Sequence, residues 1–156
     1  MNRKLRTHSP TRPATSPLLR ALAYNRATHE LVTRAMLLQC YTALDAFRRG
    51  YGSRELFTTL GRYLLVAEEL CRLGHQSDEI GYIAEAQAAV VQLDATEMQD
   101  GGWLVDDADY TRLRVAFAIL NEQMSAASLD DIAKAETSIV EGLFGAERKP
   151  AVVEAM

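Results

Sequence analysis

SRELFTTLGRYLLVAEELCRLG, residues 53–74, decides the fold. Leu56, Leu60, Tyr63, Leu64, Ala67, Leu70 and Cys71 recur at three- and four-residue spacing, which gathers them on one side of an α-helix. Ser53 stands where an N-cap belongs, and Gly74 accepts the left-handed backbone that ends a helix. Upstream, a helix from Thr28 to Arg49 carries Leu31, Ala35, Leu38 and Thr42 in one row and Leu37, Cys40, Tyr41, Leu44 and Phe47 in the next, ending at Gly50 and Gly52. So wide an apolar stripe predicts that this helix is central. Before it, Ser16-Pro17 starts a short helix with Leu18, Leu19, Leu22 and Ala23 facing inward, ending between Asn25 and Thr28.

Downstream, after the turn His75-Gln76-Ser77-Asp78, Ser77 or Asp78 caps a helix whose inward face reads Ile80, Ile83, Ala84, Gln87, Val90, Val91 and Met98. Gly101-Gly102 breaks it. Asp106, with Asp109 three residues on, opens a helix carrying Tyr110, Leu113, Ala116, Phe117, Leu120 and Met124. Ser128 with Asp131 forms a start resembling a capping box for the last helix, with Ile132, Ala135, Ile139, Leu143 and Phe144 inward and Gly145 as its stop. Connections of two to eight residues suit antiparallel neighbours, and no run alternates apolar with polar as a strand would. The expected architecture is all-α: a compact bundle of about five helices over residues 18–145, with a flexible basic tail at 1–17 and a frayed end at 146–156.

A length of 156 residues suits one domain, and 48% hydrophobic with 24% charged residues suits a globular one. The most apolar stretch, Ala35 to Leu44, is interrupted by Gln39 and Thr42, so no membrane span is expected. MNRKLRTHSPTRPATSP, residues 1–17, lacks the apolar run of a secretory signal, which places the chain in the cytoplasm. Cys40 and Cys71 each sit in a helical apolar pattern and read as buried free thiols.

Charge is uneven. Five of the 17 basic residues lie in residues 1–20 with no acid, leaving 12 against all 21 acids and a net charge of −9 for the rest. From Leu73 to Thr111 there are nine acids, Asp78, Glu79, Glu85, Asp94, Glu97, Asp100, Asp106, Asp107 and Asp109, and no Lys or Arg. Five of the nine stand at helix starts, where carboxylates offset the positive end of the helix dipole. Unpaired over one surface, the same acids would attract a positive groove and mimic nucleic acid.

Candidate chemistry fails on spacing. His29-Glu30 lacks the second histidine of a zinc protease because Thr33 occupies its place. Glu68, Cys71 and His75 would share a helical face only if the helix ran past Gly74. The neighbours Glu68-Glu69 and Asp106-Asp107 point about 100° apart on a helix and do not face each other. Gly101-Gly102 and Gly50-Tyr51-Gly52-Ser53 complete no phosphate loop. No catalytic residue, metal or cofactor is therefore expected. Arg48, Arg49, Arg54 and Arg62 form a modest basic edge, and Arg112 and Arg114 another, both interleaved with acids.

Two segments, Ala21-Leu22-Ala23-Tyr24-Asn25-Arg26-Ala27-Thr28 and WLVDDADYTRLRVAFAILNEQMSAAS (residues 103–128), resemble small helical accessory proteins of phages and mobile elements in high-GC proteobacteria, over about residues 20–144. Some of these are labelled Fis-type regulators, yet the last helix here has only Lys134 to offer a DNA groove. The resemblance implies a setting in which accessory proteins bind and redirect a host machine, including defence systems. The expected function is a non-enzymatic protein-interaction module, in its specific form an anti-defence inhibitor whose acidic surface occupies a basic groove on a partner protein. Asp100, Trp103, Asp106, Asp107 and Asp109 are its expected contacts. The alternative is a DNA-associated transcriptional factor that reaches nucleic acid through the basic tail. A homodimer fits either, since the apolar stripes exceed what five helices need to bury.

Overall fold

A computed structural model describes the backbone of residues 17–100 and 102–147 and the side chains of residues 28–97 and 102–143. Residues 1–16 of the expected tail and 148–156 of the expected end lie outside the described residues, as do the side chains of Met98 and Phe144. Among the described residues five α-helices follow one another: α1 Pro17–Arg48, α2 Arg54–Arg72, α3 Ile80–Asp100, α4 Asp107–Ala126 and α5 Leu129–Glu147, with one 3-10 turn at Ser77–Glu79. Among the described residues there is no strand, and no helix is long and apolar enough to cross a membrane.

Caps stand where the residue types demand them. Ser53 accepts from the Leu56 amide at 3.2 Å, Asp106 from that of Asp109 at 2.7 Å and Ser128 from that of Asp131 at 3.1 Å. Gly74, at φ +97, ends the turn after α2. The sequence reading differs at α1, which is one 32-residue helix in place of a short helix and a capped second one. Nothing between Asn25 and Thr28 is glycine or proline, so no residue there halts propagation once the helix has begun. Helix α3 starts after the 3-10 turn, at Ile80, and not with a cap at Ser77 or Asp78.

Helices α1 to α4 form the core bundle: α1 and α3 each pack against both α2 and α4, α2 and α4 meet across the middle, and α5 lies on α2. The centre is thus α2 rather than α1. It buries Leu60, Tyr63, Leu64, Val66, Ala67, Leu70 and Cys71, more than one stripe, and so has neighbours on most of its circumference. In α1 the row Met36, Cys40, Ala43, Leu44 and Phe47 enters the core, whereas Leu31, Ala35, Leu38 and Thr42 face outward. In α3 the inward stripe is Ile83, Ala86, Val90 and Leu93, leaving Ile80, Ala84 and Val91 exposed. Leu143 of α5 is exposed as well.

Buried Gln123 locks α4 to the end of α2. Its amide nitrogen donates to the carbonyls of Ala67 and His75, both at 3.0 Å, and touches Cys71 Sγ at 3.1 Å.

Candidate functional site

The loop from α3 to α4 (Gly102–Asp106) meets the loop from α1 to α2 (residues 49–53) at one end of the bundle. The Val105 amide donates to the Phe47 carbonyl at 3.3 Å, and Val105 is buried. Trp103 sits half-buried with its ring 5.7 Å from those of Phe47 and Phe57, edge-on to the first. The approach is so close that a Cβ on Gly52 would overlap the Phe47 ring and the Trp103 Cβ. This is the close packing that the residue type at position 52 allows.

Arg54 closes the cluster. Its guanidinium lies 4.8 Å from the Trp103 ring centre and 5.0 Å from that of Phe57, and it donates to Asp94 at 2.7 Å and to Glu97 at 3.2 Å. Two acids of the acid-rich stretch are therefore neutralised by an arginine from outside it. A third, Asp109, pairs with Arg112 at 2.6 Å. Arg48 covers the Tyr110 ring at 4.0 Å.

Of the contacts expected from sequence, Trp103, Asp106, Asp107 and Asp109 come together at this end, on one short loop and the first turn of α4. Asp100 ends α3, and its side chain lies outside the described residues. Their roles separate: Trp103 packs, Asp106 caps, Asp109 pairs, and Asp107 is exposed on the first turn. Sequence reasoning missed Tyr51, 77% exposed, and Leu104, 61% exposed, which add apolar surface to the same two loops. A usable signal existed for Tyr51, since an aromatic residue between two glycines at a helix end has no helical face to join. The end thus presents apolar groups beside carboxylates, with part of the charge compensated from within.

The other candidate cluster is dispersed. Helix α2 stops at Arg72, and His75 turns to Asp131, Nε2 to Oδ2 2.9 Å. Cys71 faces Gln123, and Glu68 engages Arg72 at 2.5 Å and Gln87 at 2.8 Å. Among the described residues no group of three or more His, Cys, Asp or Glu side chains is placed to hold a metal ion. Glu69 also pairs with Arg72, so the adjacent carboxylates Glu68 and Glu69 share one cation at the surface. Both cysteines are free and buried; burial pushes the Cys40 thiol up to about 12 and raises that of Cys71. His29 Nε2 lies 2.8 Å from the Ala127 carbonyl oxygen, which fastens α1 to the end of α4.

No protein-family model matches the chain, and neither the curated proteins nor the solved structures compared with it gave a match.

Proposed function

We propose that this chain is a non-enzymatic protein-interaction module whose working surface is the loop end around Trp103. The observation that carries the reading is the pairing of open apolar side chains, Tyr51 and Leu104, with the exposed acids Asp106 and Asp107 on a backbone held by the Phe47–Trp103–Phe57 cluster. A rigid aromatic and an aliphatic anchor beside carboxylates suit a partner protein that offers an apolar recess rimmed by Lys or Arg. A pure nucleic-acid mimic is a poorer description, because Arg54 and Arg112 cancel Asp94, Glu97 and Asp109. In the setting that the family resemblance implies, the partner is a host machine with a basic channel, and occupying that channel inhibits it.

The test is affinity capture from nuclease-treated proteobacterial lysate with three baits: the native chain, a Tyr51→Ser/Leu104→Ser variant and an Asp106→Asn/Asp107→Lys variant. Asparagine keeps the cap while removing the charge. A protein retained by the native chain, lost by both variants and released by moderate salt is the expected result. Equal recovery on all three baits would falsify the assignment of this surface. Recovery of material only from a parallel lysate left without nuclease would instead direct attention to the basic tail.

A further inference from the structure

Helix α1 shows the bundle only part of its apolar surface. Thr28, Leu31, Ala35, Leu38, Thr42 and Asp45 follow a three-four spacing that lines them as a seam along one face of α1, with Leu31, Ala35 and Leu38 as its apolar centre. Leu31 is 69% and Leu38 66% exposed, and Ala35 and Thr42 are exposed between them. Cys40 and Phe47, on the opposite side of the helix, are the ones buried in the core. Two open grooves flank Leu38, each about 420 Å³, one between α1 and α4 beside Arg34 and Tyr41, the other between α1 and α2 beside Gln39 and Leu56.

The residues along the seam say what covers it. Small or hydroxyl side chains occupy every first position (Thr28, Ala35, Thr42), and leucine occupies the fourth position twice (Leu31, Leu38). In antiparallel helix pairs first positions face fourth positions. Two copies of α1 running in opposite directions then place Leu31 on the second Thr42, Ala35 on the second Leu38, and Thr28 against the second Asp45, so that each layer joins a large or charged group to a small or hydroxyl one. The flanking positions complement too: Arg34 meets the Tyr41 ring of the other copy, and Gln39 meets Val32, with no like charges opposed. A parallel pair would instead set Asp45 against Asp45 and Ala35 against Ala35, repelling in one layer and leaving a gap in another.

We infer that the exposed seam of α1 binds a second copy of this chain in an antiparallel, two-fold arrangement. The interface is isologous.

Sedimentation velocity of the full chain over a concentration series should show a monomer becoming a dimer in the micromolar range. Leu38→Glu should weaken association roughly a hundred-fold, as expected where a buried anchor is replaced by a charge. At concentrations where both chains are monomeric, its helical signal and melting curve should match those of the native chain, because Leu38 is exposed in the single chain. For direction, a mixture of Leu31→Cys and Thr42→Cys chains should form a mixed disulfide on mild oxidation, whereas Leu31→Cys alone should not, its two copies lying eleven residues, about 16 Å, apart along the axis. The native Cys40 and Cys71 are buried and leave this readout clear. A monomer at every concentration, a Leu38→Glu chain that still dimerises, or cross-linking of Leu31→Cys to itself each overturns the inference.

Discussion

At position 52 the absence of a side chain lets Phe47 and Trp103 touch, and the whole loop end rests on that approach. Gly52→Ala should destabilise the fold by about 1–3 kcal/mol, the range for overpacking a filled site, as read from the urea midpoint. An unchanged midpoint would mean that the two rings have room to give. Cys40 makes a second residue-scale prediction. In the unfolded chain its thiol ionises near 9.0, whereas in the fold burial holds the proton until about pH 12. Between those values the native state keeps a proton that the unfolded state has released, so stability is full below pH 9 and falls as pH rises toward 12. Burial raises Cys71 and Tyr63 in the same direction, reinforcing the slope. Denaturant titrations at stepped alkaline pH should show the decline, shallower in Cys40→Ala; a flat profile would contradict the burial of these groups.

Among the elements, α4 depends on its cap. Asp106→Ala should cost about 1 kcal/mol and Asp106→Asn almost nothing, because the asparagine oxygen still accepts from the Asp109 amide. Thermal melts of the two variants separate capping from charge. Caps of this kind were legible in the sequence because Ser53, Asp106 and Ser128 act within their own turn. The inward face of α2 was legible for a similar reason, since its apolar residues leave little choice of direction. Helices α1 and α3 were harder: α1 offers two apolar rows and α3 spreads five alanines around its circumference, so which side turns inward is settled by neighbours distant in sequence. Reading two helices where α1 has one came from treating Thr28 as a cap. Thr28→Pro tests that continuity: within an unbroken helix it removes a backbone hydrogen bond and should disrupt about 3 kcal/mol of local stability, seen as lost helical ellipticity. At the candidate site, the acids were legible by count, but Arg54 joining Asp94 and Glu97 was not, because forty residues separate Arg54 from Asp94.

For the molecule as a whole, α2 is the axis on which everything else is mounted, and α5 is fixed chiefly to it. Helix α5 contributes Ile132, Ala135 and Ile139 to the core while Val140 and Leu143 stay open. Amide hydrogen exchange should accordingly be slowest in α2 and fastest in α5 among the helices, since an outlying element opens without dismantling the rest. Protection of α5 equal to that of α2 would show that the bundle opens only as one unit. The central place of α2 also bears on how the chain is made. A ribosome delivers residues in order, so the molecule's axis is complete while α3, α4 and α5 are still unsynthesised. Until α4 arrives, Ala67 and Cys71, which meet Gln123 of α4 in the finished fold, lack that cover. The growing chain is therefore most exposed to aggregation during the interval between about residue 72 and residue 126, and that is where a chaperone would find it.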